Sequence, residues 1–399
     1  MLARLKFDIS DMVNAVMCEV NDPDGYYLDI AMGGGQFVSA AEAIATPARV
    51  VGWENNRLRV NYAKHRFGLQ GEYSVCDPRK EFTVDVSKLN VVGNWPFTSG
   101  TGRAPIAVGI MDNLLKNGIP KSMGVVLHSG FLHSADGGLA RLRDSLFDAG
   151  LYKIMLNDVS AFEDGGAKVR TVTVFCKRDY DGPITVMNSH GSYDYDFRKR
   201  GYIVDGGTGA LTQWLCDLRD RGTPVLGYQP KNHKDGILSV AVDAPQQGYE
   251  PFLRKMSVKG NDIAYAPASA FGDRSKSESW RVVVGYRPSG LEMGDPRFGL
   301  TTIVPPGTHV LNSPYVCIEA ASHKHAQDLR SYFHSDIVEN YILPRTRTSP
   351  TLDCKKKDGQ TKFLPMLPPD VEINGAADIT AFLRADESIL AEMAAYRAD

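Results

Sequence analysis

Residues 26–54 read YYLDIAMGGGQFVSAAEAIATPARVVGWE. The opening YYLDIA (26–31) is a short apolar run of strand length, and a glycine cluster follows it. QFVSAAEAIA (36–45) reads as a helix and ARVVGWE (48–54) as a second strand. Strand, glycine turn, helix and strand in that order imply two parallel strands joined by a crossover helix. The alternation continues outward through a helix at NRLRVNYAKHRFG (56–68), ending at Gly68, and strands at EYSVCD (72–77) and LNVVGN (89–94). A helix at APIAVGIMDNLLKNG (104–118) and a strand at GVVLHSG (124–130) come next. DGGLARLRDSLFDAG (136–150) places Leu139, Leu142 and Leu146 at helical spacing. YKIMLND (152–158) and KVRTVTVFCK (168–177), joined by a glycine-containing link, read as a hairpin. The expected fold is α/β: a doubly wound sheet of seven strands, mostly parallel, with one antiparallel strand at or near its edge.

Beyond about residue 181 the pattern changes to irregular strands rich in glycine and proline. ILSVAV (237–242), WRVVVGY (280–286), LTTIVP (300–305) and SPYVCIEA (313–320) read as strands, and 322–343 as a helix. The expected organisation is residues 1–185, a second α+β domain over 186–365, and an acidic helical tail over 366–399.

Composition narrows the class. Hydrophobic residues make up 43% and charged residues 23% of 399, ordinary proportions for a globular protein. There is no apolar run of about 18 residues, so no transmembrane helix is expected, and acids near the start argue against a secretion signal. Six scattered cysteines without a CxxC pair suggest reduced thiols rather than a disulfide framework or a zinc site. The formal net charge is −2. The acidic tail masks a mildly basic middle containing RKR (198–200), RKMSVK (254–259), RTR (345–347) and KKK (355–357). Each such cluster taken singly reads as solvated surface. HKH (323–325) also reads as surface, because residues two apart on a helix face different ways.

In a doubly wound sheet, ligands sit beyond the carboxyl ends of the strands, beside the first strand. Four successive strand ends here offer polar groups. Asp29 ends the first, before Gly33 and Gly35; glycine permits positive φ and close approach of a ligand to the backbone. Glu54 ends the second, where an acid can accept from ribose hydroxyls or merely cap the next helix. Asp77 follows the third, able to accept from an amino group or to start a turn before Pro78. The fourth ends in Asn94-Trp95-Pro96-Phe97. An amide beside two aromatics and a proline reads either as a turn that happens to be sticky or as a pocket for a flat ring bearing an amino group.

The chain resembles the S-adenosylmethionine-dependent DNA amino-methyltransferases, specifically the adenine-N6 group with Eco57I/TaqI-like motif order. LDIAMGGGQF (28–37) is similar to that family's Asp-Pro-x-x-Gly-x-Gly-x-Phe loop, with Ile30 in place of the proline. NWPF (94–97) is similar to its Asn-Pro-Pro-Tyr/Phe motif, with Trp95 in place of the first proline. The resemblance covers 1–180 well, 298–365 moderately and 190–297 barely. It implies a Rossmann-like catalytic domain over 1–185 and a target-recognition domain over 186–365. It implies S-adenosyl-L-methionine as cofactor, held by Asp29, Ala31, Gly33, Gly35, Phe37, Glu54 and Asp77. Asn94, Trp95, Pro96 and Phe97 would then form the catalytic pocket. The Asn94 side-chain oxygen and the residue-95 carbonyl would accept from the target amine, and Phe97 would stack on the extruded base. The implied partner is double-stranded DNA, with no metal and no membrane, in the cytoplasm of a bacterial or phage-infected cell. Replacing proline by Trp95 removes a fixed φ and so some rigidity. Cytosine-N4 or RNA amino-methylation, or a non-catalytic DNA-binding subunit of the same fold, are the alternatives.

Overall fold

The computed structural model describes residues 9–78, 80, 84–96, 106–132, 137–157, 171–188, 191–200, 209–221, 223–230, 232, 234–257, 260–272, 278–285, 300–311, 315–343 and 364–397. The chain divides into two compact units, residues 1–209 and 210–399.

The first unit is built on strands β1 (Tyr26–Asp29), β2 (Val50–Glu54), β3 (Glu72–Val75), β4 (Leu89–Asn94), β5 (Ser122–His128), β6 (Leu151–Leu156), β7 (Thr171–Lys177), β8 (Ile184–Asn188) and β9 (Gly191–Tyr195). Its helices are α1 (Ile9–Glu19), α2 (Gln36–Ile44), α3 (Arg57–Phe67), α4 (Ile106–Lys116), α5 (Gly137–Asp148) and the short α6 (Phe197–Arg200). All nine strands form one sheet in the order β3-β2-β1-β4-β5-β7-β6-β8-β9. β1 pairs parallel with β2 and with β4, so the strand order reverses direction about it. β7 lies antiparallel between β5 and β6.

The interior positions of β4 and β5 are buried throughout, and their sequences are nearly unbroken apolar runs, as strands covered on both faces require. One core cluster joins Val13 and Val16 of α1, Phe37, Val38 and Ala41 of α2, and Val60 and Ala63 of α3 to Tyr27, Val92, Val126 and Phe175 of the sheet. α1 approaches β5 closely at Gly124, where an added Cβ would stand 2.8 Å from Val16 Cγ1. Asn56 starts α3, its side chain accepting from the Leu58 N–H, and Gly68 ends it at φ 64.

Among the described residues the sheet has nine strands, where seven were expected. After β7 the chain turns at Asp179 (φ 64), and β8 returns parallel to β6 before pairing antiparallel with β9. These two strands cover what would otherwise be the open edge of β6. Their sequences, ITVMN and GSYDY, are only partly buried, so they lack the apolar signature of the central strands. The unit accordingly continues to residue 209 rather than 185, which falls inside β8.

The second unit contains α7 (Gly209–Asp220), α8 (Lys234–Leu238), the antiparallel hairpin β10 (Tyr249–Ser257) and β11 (Gly260–Pro267), β12 (Trp280–Gly285), β13 (Thr301–Val304), β14 (His309–Val310) and β15 (Tyr315–Ala320). Two three-stranded sheets result, β11-β10-β14 and β13-β12-β15. Its described residues also include α9 (His323–Phe333), α10 (Ala376–Leu383) and α11 (Glu387–Arg397). The run 237–242 is not a strand: it finishes α8 and turns, with Val242 making an isolated antiparallel bridge to Tyr265, and Ile237 is buried but Val240 is exposed. The helix expected over 322–343 ends at Phe333, and a separate π turn spans Val338–Ile342. His325 is buried, its Nδ1 accepting from the Ala321 N–H and its Nε2 2.8 Å from the Leu367 carbonyl, so the HKH stretch is not wholly surface.

Candidate active site at the carboxyl edge of the large sheet

The strand order 3-2-1-4 sets the ends of the first four strands side by side, with β1 at the point of reversal. Asp29 ends β1, aligned with Gly52 on one side and Val92 on the other. Glu54 ends β2 opposite Val75, Asp77 lies two residues beyond β3, and Asn94 ends β4 opposite Val126 of β5. The residues picked from the sequence as strand-end polar groups therefore share one edge.

Backbone donors of the glycine loop fasten it to two of these acids. Asp29 Oδ1 accepts from the Ala31 N–H at 3.1 Å. Glu54 Oε2 accepts from the Gly33 N–H and Oε1 from the Asn56 N–H, both at 3.1 Å. A carboxylate has about four lone-pair sites, so Glu54 retains capacity for further donors. Arg59 Nη1 stands 3.9 Å from it.

The glycines divide by role. Gly33 (φ +49) has only the Ala31 carbonyl near its absent side chain, at 3.8 Å, leaving room for a ligand. Gly35 (φ +87) is held by packing: a Cβ there would lie 2.7 Å from Ala63 Cβ of α3. Phe37 sits in the hydrophobic core. Asp77 is half-buried; its carbonyl accepts from the Lys80 N–H, and Asn113 of α4 donates to the carbonyls of Pro78 and Lys80.

Four buried side-chain atoms at the ends of β1, β4 and β5 have no hydrogen-bond partner among the described residues: Asp29 Oδ2, Asn94 Oδ1, Trp95 Nε1 and Ser129 Oγ. Buried polar groups are nearly always paired, so an unpaired cluster marks a place where something else binds. Asp29 is 1% exposed, and burial, with a smaller contribution from Glu54, pushes its carboxyl up to about 8. The carboxyl is thus mostly neutral at pH 7 while it has no cationic partner. Burial also lowers the pKa of His128, whose Nδ1 accepts from the Gly130 N–H at 2.8 Å, so its imidazole is neutral there.

The Trp95 side chain is fully buried, and its backbone N–H donates to the Val126 carbonyl at 3.1 Å, extending the β4–β5 ladder one residue past Asn94. A proline could not make that bond, so the loss of a fixed φ is offset by a ladder hydrogen bond. Pro96 is half-buried, and Phe97 lies outside the described residues.

Two residues that sequence reading passed over belong to this edge. Gly93 (φ +147) lies against Asp29: a Cβ would fall 2.6 Å from Asp29 Oδ1. A glycine inside a strand, just before a polar end, is the signal for such an approach. Ser129 follows β5 with its hydroxyl buried, and nothing in its sequence context sets it apart. Among the described residues no group of three His, Cys, Asp or Glu could hold a metal ion, and no helix is long and apolar enough to cross a membrane.

No family model matches the sequence, and no curated protein matches it. Among solved structures, the chain is similar to a modification subunit of a putative type I restriction enzyme from Vibrio vulnificus YJ016, at 15% identity over 46% of each chain with a TM-score of 0.38. It is similar to the type I restriction-modification system methyltransferase subunit from Streptococcus thermophilus, at 19% identity over 44% of this chain and 45% of that one, TM-score 0.34. It is also similar to the type IIG restriction endonuclease BpuSI, at 12% identity over 95% of this chain and 60% of that one, TM-score 0.44. The chain spans about half the length of the first two structures.

Proposed function

We propose that this chain is an S-adenosylmethionine-dependent DNA methyltransferase acting on N6 of an adenine extruded from duplex DNA, in the cytoplasm of a bacterial or phage-infected cell. The observation that carries the reading is the set of unpartnered buried polar atoms around the β1/β4 reversal, with Asn94 Oδ1 at the end of β4. The residues fit the cofactor: Glu54 has lone pairs to spare for ribose hydroxyls, the second carboxyl oxygen of Asp29 lacks a donor, and Gly33, whose N–H bonds Glu54, leaves open space where a side chain would begin. Ala31 and Gly33 supply the loop backbone, Asp77 accepts from the adenine amine, and Gly35 and Phe37 fix the loop from behind. The cofactor supplies an electrophilic methyl group.

Asn94 then orients the nucleophile. An exocyclic amine is a poor nucleophile because its lone pair is delocalised into the ring. Acceptance of one N–H by Asn94 Oδ1 and of the other by the Trp95 carbonyl favours a pyramidal nitrogen with its lone pair exposed. An amide does not titrate near neutrality, so its contribution is preorganisation rather than proton transfer. Phe97 stacks on the base and Pro96 shapes the wall. The second unit, with the basic stretches RKMSVK (254–259), RTR (345–347) and KKK (355–357), holds and reads the duplex through phosphate and base-edge contacts.

Incubation with labelled cofactor and unmethylated DNA, RNA or cytosine-only targets tests the reading. Label is expected on adenine N6 in DNA, and Asn94→Ala is expected to lower the transfer rate at least about a hundredfold with cofactor affinity retained. Transfer at the wild-type rate by that variant would remove Asn94 from the reaction; label on cytosine or RNA would reassign the substrate. The complete burial of Trp95 where the family carries proline favours one second reading, a non-catalytic subunit of the same fold, which absence of transfer to any nucleic acid would support.

A further inference from the structure

Among the four unpartnered atoms, Asn94 Oδ1 has a place in the proposed reaction. Asp29 Oδ2 and Trp95 Nε1 differ from it in being a matched pair of opposite character. Once ionised by a cation beside it, the Asp29 carboxylate only accepts, whereas an indole N–H only donates. The two side chains meet over Gly93. The point where a Gly93 side chain would begin lies 2.6 Å from Asp29 Oδ1 and 3.6 Å from Trp95 Cδ1, the ring carbon bonded to Nε1. Both residues are at most 1% exposed. Leaving either group unsatisfied in the interior carries its full desolvation penalty. Two groups of like character would suggest a single ion; one seeking a cation beside one seeking an anion suggests a ligand carrying both.

We propose that Asp29 and Trp95 form a clamp for an α-amino acid group, Asp29 accepting from its ammonium and the Trp95 indole N–H donating to its carboxylate. This rests on the cofactor reading above, since the methionyl end of S-adenosylmethionine is such a group. Gly93, lacking a side chain, is what allows the Asp29 carboxyl to sit against this strand end. Trp95 thereby contributes a side-chain donor that proline at this position lacks, and it becomes the residue that tells the intact cofactor from fragments without the carboxylate.

Calorimetry on the full chain with three probes tests the clamp: S-adenosylhomocysteine, its decarboxylated analogue, which keeps the amine, and 5′-methylthioadenosine, which has neither group. Wild type should bind the decarboxylated analogue about ten- to hundredfold more weakly than S-adenosylhomocysteine, the scale for one hydrogen bond to a charged group. Trp95→Phe should weaken S-adenosylhomocysteine by a similar factor and leave the decarboxylated analogue unchanged. Asp29→Asn should weaken both of these and leave 5′-methylthioadenosine unchanged. A second readout needs no substitution of the buried ring. The chain has four tryptophans, and in wild type labelled with nitrogen-15 at the indoles, one N–H resonance should shift with S-adenosylhomocysteine but not with the decarboxylated analogue. Equal affinity of wild type for all three probes, or no selective indole shift, overturns the clamp while leaving cofactor binding intact. Equal weakening of both amine-bearing probes by Trp95→Phe also overturns it, because the indole would then act through Asp29. Binding of none of the three by wild type refutes the cofactor reading itself.

Discussion

Replacing Asp29 by asparagine should stabilise the ligand-free chain in a pH-dependent way, and the sign follows from where the carboxyl sits. In the folded chain burial pushes its pKa to about 8, against an ordinary value of 3.8. Between those values the folded chain holds a proton that the unfolded chain has released. Stability therefore falls as pH rises through that window and levels off above about pH 8. From pH 5 to pH 8.5 the wild-type carboxyl costs the fold up to about 4 kcal/mol. Asparagine cannot titrate, and its Oδ1 can keep the bond from the Ala31 N–H. Any cost of burying its amide is the same at both pH values and cancels in the comparison. Urea unfolding of both proteins at pH 5 and pH 8.5, without ligand, should show the stability difference moving in favour of Asp29→Asn by as much as that amount at the higher pH. Other ionisable groups are common to the two proteins and drop out. A stability difference equal at the two pH values would refute the claim that Asp29 is held neutral by burial.

Further outcomes follow from the same geometry. Glu54→Ala should weaken S-adenosylhomocysteine binding by about 1.5–3 kcal/mol, measured by calorimetry, with unchanged affinity removing Glu54 from the site. Gly93→Ala should lose binding of the same ligand, because the new methyl displaces the Asp29 carboxyl, whereas Gly33→Ala should retain the fold; circular dichroism and calorimetry together separate the two effects. Ligand uptake at pH 7 should release up to one proton as an ammonium draws Asp29 into its ionised form, read from binding heats in buffers of different ionisation enthalpy. A chain ending at Gly209 keeps all nine strands and should unfold cooperatively, while one ending at 185 cuts through β8 and should not.

The central strands and the acids at their ends were legible because one cause produces both. Strands such as β4 are buried on both faces, so they appear as unbroken apolar runs, and Asn94 stands out where the run stops. The same reasoning missed β8, β9 and the β10–β11 hairpin, whose partial burial leaves mixed sequences with no clean period. It read 237–242 as strand because a short apolar run cannot be told from a helical segment by periodicity. Within the site, residue type disclosed Asp29, Glu54 and Asn94, but not why each glycine was needed. Gly35 serves the contact with Ala63, and Gly93 serves the carboxyl of Asp29, relations between elements distant in the chain. Trp95 looked like a loss of rigidity because the Val126 carbonyl that holds it comes from another strand.

That last hydrogen bond gives the molecule a built-in reporter. A motif with proline at position 95 has no amide proton there to observe; this chain has one, locked to β5 immediately beside the proposed catalytic amide. Its exchange with solvent deuterium requires β4 and β5 to part at their tips. The rate of that single proton therefore clocks how often the site opens, in the resting chain and with each ligand bound, without any label placed in the pocket.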